Sequence, residues 1–362
     1  MPSATHDNCL SCGARLKVDA KKCDVCGAIC QEPDEPPEAW IGRTVDGKYT
    51  VESILGVGGM GMVFEATRVL VGDQVAVKVL YPRLLSSALQ RELFRDEAIA
   101  SARLSHPNVV TVFDTGLSSD TGNAYIAMEL LRGRTLKELL REQAPMPYET
   151  LLPIALEICE GLHTAHSAQI IHRDLKPDNI YLEQIGNGQE RVKLVDFGIA
   201  AMLDVERGER RQRLGTLRYM SPEQCRGEDV DARADLYALG VLLYEGLTRR
   251  RVTGKSISAV CEDIPQLPNV ILEQLDQIPS WLEDLLMRLL AKSPDARPSS
   301  ALEVMETIRR GSSGSMTLEQ RHQNVPHLPV QSATVGSASG MPSLALTIAI
   351  GLGAGLLWGF LQ

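Results

Sequence analysis

The most constraining stretch of this 362-residue chain is a charged octapeptide set between apolar neighbours. His172-Arg173-Asp174-Leu175-Lys176-Pro177-Asp178-Asn179 follows Ile170-Ile171 and precedes Ile180-Tyr181-Leu182. Asp174 can accept the proton of an incoming hydroxyl. Lys176 can neutralise a transferring phosphate, and Asn179 can bind a hard cation through its amide oxygen. Seventeen residues beyond Asn179, after the strand-like Val192-Lys193-Leu194-Val195, comes Asp196-Phe197-Gly198. Asp196 is placed to hold a Mg²⁺ that bridges phosphates. Each residue alone could be an ordinary turn residue; their conjunction argues otherwise.

Upstream, Leu55-Gly56-Val57-Gly58-Gly59-Met60-Gly61-Met62-Val63 carries a G-x-G-x-x-G-x-V spacing. Glycines let backbone amides approach phosphates without side-chain interference. Alone, the pattern also fits a dinucleotide-binding turn or a plain glycine-rich hairpin. A dinucleotide turn would open a helix at its third glycine, with an acidic residue about 20 positions on. Here Met62-Val63-Phe64-Glu65-Ala66 continues as a strand, and the alternating strand Val75-Ala76-Val77-Lys78-Val79 follows. A lysine amid apolar strand neighbours needs anionic partners. The α- and β-phosphates of ATP would be one. Glu97 would be the other, because in its helical stretch it shares a face with Leu93, Ala100 and Leu104; Asp96 and Glu92 are rivals.

Hydrophobic residues make up 44% of the chain, enough for a substantial core. Residues 50–130 show short Val/Ile/Leu runs broken by glycine, with one helical stretch near 86–104. Residues 131–309 are mostly helical in period, with a strand-like segment at 180–197. The expected class is α+β: a small β-rich lobe, then a larger α-rich lobe. A net charge of −9 with no basic block argues against nucleic-acid binding.

In order, these motifs resemble those of the eukaryotic-type serine/threonine protein kinases of bacteria. The resemblance spans residues 42–309, with an N-lobe at 42–130 and a C-lobe at 131–309. It extends to His106-Pro107-Asn108, Gly215-Thr216-x-x-Tyr219-Met220-Ser221-Pro222-Glu223, Asp235-x-Tyr237-Ala238-Leu239-Gly240 and Asp295-Ala296-Arg297-Pro298. It implies the bilobal protein-kinase fold. It also implies transfer of the γ-phosphoryl group of ATP, with Mg²⁺ or Mn²⁺, to Ser/Thr hydroxyls of proteins in signal transduction, autophosphorylation included. Asp174, Lys176, Asn179, Lys78 and Glu97 would be the catalytic set, with Asn179 and Asp196 on the metal. Leu55 to Val63, Ala76, Lys78, Met128, Glu129, Leu130 and Tyr181 would hold the nucleotide. Met128 would line the back of the adenine pocket, with Glu129-Leu130 as hinge. Asp235 would anchor the catalytic loop, Glu223 and Arg297 would form a buried pair, and Thr216 would lie near Asp174. Lys176 and Thr216 match the Ser/Thr rather than the tyrosine pattern. Ser221 stands where alanine is usual, a mild change.

Two other readings compete. A pseudokinase scaffold would usually lack the metal aspartate, the base or the lysine, yet Lys78, Asp174, Asn179 and Asp196 are all present. A small-molecule phosphotransferase fits poorly with the peptide-docking segment 216–223. One departure stands out: residues 199–214 contain no Ser, Thr or Tyr. Phosphorylation upstream of Thr216 therefore cannot order this loop. Either Asp204, Glu206 or Glu209 pairs with Arg173, or the charges are solvated. Residues 247–269 also depart from the family pattern, which leaves substrate docking there undefined.

Both ends carry extra signals. Residues 1–30 show no apolar run for a signal peptide, but they hold Cys9-x-x-Cys12-Gly13 and Cys23-x-x-Cys26-Gly27. This resembles a zinc ribbon, in which four thiolates suit tetrahedral Zn²⁺; redox-active or free cysteines are the alternative, and Cys30 is a spare thiol or substitute ligand. So small a module has little core without a metal. Residues 31–41 read as an acidic, proline-rich linker and 310–342 as a flexible Ser/Gly-rich one. Residues 344–361 contain no charge and would span about 27 Å as a helix, so 343–361 are expected to cross the inner membrane once. The alternative is a helix docked on the kinase. ATP would place the kinase in the cytoplasm, and Gly351, Gly355 and Gly359 offer a homodimer face. A tail anchor or a truncated chain both fit.

Overall fold

The computed structural model describes residues 35–85, 88–118, 121–197, 218–250, 252 and 278–314. The chain divides into two units, Met1–Met316 and Thr317–Gln362, and the described residues all belong to the first. The cysteine module, the segment 199–214 and the apolar stretch 343–361 lie outside them. Among the described residues no helix is long and apolar enough to cross a membrane.

The N-lobe begins earlier than expected. Pro37–Trp40 forms a 3-10 turn in the stretch read as linker. Trp40 is buried there and stacks on Phe64, with ring centroids 5.9 Å apart. Four strands follow: β1 (Thr44–Val45), β2 (Tyr49–Val57), β3 (Gly61–Arg68) and β4 (Gln74–Leu80). Helix α1 (Ala88–Ala102) comes next, then β5 (Val112–Leu117) and β6 (Ala124–Glu129). They build one antiparallel sheet in the order β1-β2-β3-β4-β6-β5. Strand β4 is buried from Val75 to Leu80, so its sequence is nearly continuous in apolar character, and Lys78 interrupts it. The β2–β3 turn closes tightly on β4. A Cβ at Gly61 would lie 2.1 Å from the Val79 carbonyl oxygen, so only glycine fits.

The C-lobe contains β7 (Gly133–Thr135), α2 (Leu136–Gln143), α3 (Tyr148–Ser167), β8 (Ile180–Gly186) and β9 (Gln189–Leu194). Then come α4 (Pro222–Arg226), α5 (Arg233–Thr248), α6 (Ser280–Leu289) and α7 (Ala301–Gly314). Thr135 caps α2 in a reciprocal box with Glu138, a device that typically stabilises a helix by about 1 kcal/mol. Helix α5 is buried on nearly every side, so it sits at the centre of its lobe. Helix α7 runs past residue 309 into the stretch read as linker. There Gly311 lies flush on the Trp281 indole, where any Cβ would clash.

Two strands position the polar loops. Strand β8 follows the catalytic loop, and β9 runs into Asp196. Asn108 ties β9 down: its side-chain amide donates to Val192 O and to Glu157, both at 2.9 Å. Backbone bonds Val110 N to Leu194 O and Leu194 N to Asn108 O, each 2.9 Å, continue the tie.

Candidate active site

A small apolar cluster lies between the two main cores. Ala76, Val110 and Met128 are buried, and Val63, Leu130, Leu131 and Val195 pack on them. Ala76 on β4 pairs with Met128 on β6, which brings two of the predicted nucleotide residues together. The glycine turn above is held sparingly. Gly58 N donates to Gly61 O at 2.9 Å, and Tyr81 N donates to Met60 O at 3.0 Å. A Cβ at Gly56 or Gly59 would meet nothing within 4 Å. Leu55 is exposed. Such an open turn above an apolar slot suits a flat base with phosphates beneath backbone amides.

The hinge residues behave differently from one another. Leu130 joins the apolar cluster. The Glu129 carboxylate instead turns to the protein, accepting from Thr111 N at 2.7 Å and from Lys193 Nζ at 2.7 Å. Lys193 is only 6% exposed on β9, so the pair braces the hinge against the strand that carries Asp196. Tyr181 donates its hydroxyl to Gly133 O at 3.0 Å, joining β8 to β7. Sequence reasoning missed Lys193. Its signal was the one that singled out Lys78: a lysine inside an apolar strand must find an anion.

The catalytic loop is suspended from α5. Asp235 accepts from His172 N (Oδ2) and Arg173 N (Oδ1), each at 2.8 Å. The same Oδ2 lies 2.8 Å from His166 Nε2. Arg173 adopts φ +61°, a left-handed conformation that a long side chain rarely takes. Asp174 is buried. Its Oδ2 accepts from Lys176 Nζ at 2.6 Å and from Asn179 Nδ2 at 3.1 Å. Its Oδ1 is buried with no hydrogen-bond partner among the described residues. A buried carboxylate oxygen in that state is set to accept a proton or hydroxyl.

Asn179 donates both amide hydrogens to Asp174, to its backbone oxygen at 2.9 Å and to Oδ2. That leaves the amide oxygen as the acceptor the side chain can offer to a cation. Asp196, at φ +62°, places Oδ1 2.7 Å from Lys78 Nζ. Burial pushes the Asp196 carboxyl up, but the Lys78 ammonium, with Lys176 and His172 adding, holds it below the usual carboxylate range. It is therefore anionic at neutral pH. Asp196 and Asn179 supply hard oxygen donors of the kind a Mg²⁺ or Mn²⁺ ion takes, and both fit that role. Glu97 lies on α1; its side chain is outside the described residues. Phe197 packs on His172 with centroids 4.6 Å apart, and His172 Nε2 lies 3.1 Å from Val195 O.

The segment read as peptide-docking is described from Arg218 onward, so Thr216 lies outside the described residues. Glu223 and Arg297 form a buried bidentate pair, at 2.6 and 2.7 Å. Arg297 also donates to the carbonyls of Ala291, Arg233 and Lys292, which satisfies all five of its N–H groups. Arg297 lies over the Tyr237 ring at 5.0 Å. Burial pushes the Glu223 carboxyl up, yet Arg297 and the helix-end hydrogen bonds bring it below its ordinary value. Ser221 is fully buried and caps α4 in a box with Gln224, and Tyr219 donates to Glu245 at 2.6 Å.

A sheet lobe with a glycine turn, a helical lobe, and a lysine, an amide and two carboxylates on neighbouring loops define a bilobal, kinase-like class of protein. The chain belongs to the protein kinase family: the family model "Protein kinase domain" matches residues 49–308. It is 38% identical to the serine/threonine-protein kinase pkn3 of Myxococcus xanthus, over 73% of this chain and 50% of the relative. It is 35% identical to the serine/threonine-protein kinase PknB of Mycobacterium leprae, over 74% of this chain and 43% of that protein. The chain thus spans about half the length, or less, of these curated relatives. The solved PknI kinase domain of Mycobacterium tuberculosis (C20A mutant) superimposes with a TM-score of 0.57 at 28% identity. That match covers 75% of this chain and 98% of the PknI chain.

Proposed function

We propose that this protein transfers the γ-phosphoryl group of ATP to serine and threonine hydroxyls of proteins, itself included, in bacterial signalling. One observation carries the reading: Asp174 keeps Oδ1 unpaired while Lys176 and Asn179 hold Oδ2. The names of the relatives support Ser/Thr acceptors. In this scheme Asp174 Oδ1 takes the hydroxyl proton as the oxygen attacks phosphorus. The bond between the γ-phosphorus and its bridging oxygen breaks, and ADP leaves with that electron pair. Lys176, 2.6 Å from Asp174, offsets negative charge on the moving group. Ala76, Val63 and Met128 enclose the base, and Lys78 steers the α- and β-phosphates. A divalent cation on Asp196 and Asn179, when bound, neutralises phosphate charge.

The test is transfer of label from γ-labelled ATP to a protein acceptor. Asp174→Asn should lower it by about 10²- to 10⁴-fold, the usual worth of a general base. Transfer at the parent rate by Asp174→Asn removes the proposed base. No transfer by the intact parent protein would leave the scaffold reading instead.

Two finer proposals rest on the sequence. Cys9, Cys12, Cys23 and Cys26 suit a structural zinc ion, so the purified chain should contain zinc that Cys9→Ser with Cys12→Ser loses. Residues 343–361 suit a single transmembrane helix in the inner membrane with the kinase on the cytoplasmic side, dimerising through Gly351, Gly355 and Gly359. Release of the protein from membranes by alkaline carbonate would rule that anchor out.

A further inference from the structure

We propose that Gln224 is a positioning residue of the transfer reaction, holding the Arg173 carbonyl and through it the peptide that carries Asp174. The inference rests on the kinase reading above. Gln224 Nε2 donates to Arg173 O at 2.8 Å. Asp235 holds the N–H of the same residue at 2.8 Å. Arg173 is thus gripped on both backbone groups, in a left-handed conformation that persists only where its surroundings over-determine it. The Arg173–Asp174 peptide is planar, so fixing its carbonyl orients the Asp174 Cα as well. Its other end is held too, since Asp174 N donates to His172 O at 2.8 Å.

The Gln224 amide has a single workable orientation. Its Oε1 accepts from Ser221 N at 3.0 Å and from Ser221 Oγ at 3.2 Å. Nε2 is therefore the atom left to face Arg173. The capping box of α4 has two jobs: it starts the helix, and it aims a donor at the catalytic loop. Ser221, which reads from sequence as a mild replacement, is the buried group that sets this aim. Helix α4 also carries Glu223, which Arg297 locks in place, so the donor projects from a fixed base. Helix α4 and the residues preceding it contact the acceptor in the kinase reading. Gln224 links that docking region to the proton acceptor.

Gln224→Glu separates the two jobs. Glutamate keeps the cap acceptor but puts a carboxylate oxygen where the donor was. We expect kcat for a peptide acceptor to fall roughly three- to tenfold, the worth of one hydrogen bond. KM for ATP and the melting temperature should stay at parent values. Ser221→Ala should lower kcat in the same direction by less, because the amide loses its orienting partner. Parent kcat in Gln224→Glu overturns the inference. So does a fall matched by a lower melting temperature and a raised KM for ATP, which is what a purely structural role produces. Asp174→Asn measured alongside separates the failures. If it abolishes transfer while Gln224→Glu turns over at the parent rate, the positioning role is lost and the kinase reading stands.

Discussion

In the proposed reaction the glycine turn and the catalytic loop act together, and they are held in opposite ways. The loop from His172 to Asn179 is tied by Asp235 from α5, by Gln224 from α4 and by its own Asp174 N to His172 O bond. The turn from Gly56 to Gly61 is held by backbone bonds, Gly58 N to Gly61 O and Tyr81 N to Met60 O, with no side chain among their donors or acceptors, and its Gly56 and Gly59 Cα atoms face open space. The physical demands differ. A proton acceptor is effective when its position needs no reorganisation at the moment of transfer. A phosphate cradle must admit and release a nucleotide, so space is left beside its Gly56 and Gly59 Cα atoms.

The contrast can be broken at its strongest point first. Asp235→Ala leaves two backbone N–H groups, one of them buried, without their acceptor. Each such loss is worth about 1–3 kcal/mol, so denaturant unfolding should show a deficit of about 2–6 kcal/mol, with phosphoryl transfer lost. Unchanged stability would mean the loop holds itself. Next comes the one point where the turn is tightly built. Gly61→Ala forces a Cβ toward the Val79 carbonyl, and the hairpin must shift at about 1–3 kcal/mol. Thermal unfolding should detect it. The smallest effect is expected at Gly59→Ala, where a Cβ finds room and φ is not positive. Stability should stay within about 0.5 kcal/mol of the parent while affinity for ATP falls. A large loss of stability there would show that the turn is as tightly held as the loop.

How much was legible depended on whether a signal was local. Lys78 stood out because its strand is apolar around it; it is buried beside an anion, Asp196, which was not among the partners expected from sequence. Lys193 gave the same signal on β9 but fell outside any motif, so its pair with Glu129 came only from the structure. Trp40 lay in an acidic, proline-rich stretch with no period to read; it is buried because Phe64 stands opposite it in space. Gln224 gave no signal, since nothing in Ser221-Pro222-Glu223-Gln224 says which way an amide points.

By itself the sequence determined the family and the chain order of its motifs. Two aspartates, an asparagine and a lysine at such spacings match the protein kinase pattern, and strand and helix periods are written residue by residue. Tertiary structure decided which groups meet: that Asp196 rather than solvent faces Lys78, that the Glu129 carboxylate braces the hinge, and that α4 and α5 grip Arg173 from two sides. Those are contacts between residues tens of positions apart. Their geometry follows from how the cores pack, which no local pattern encodes.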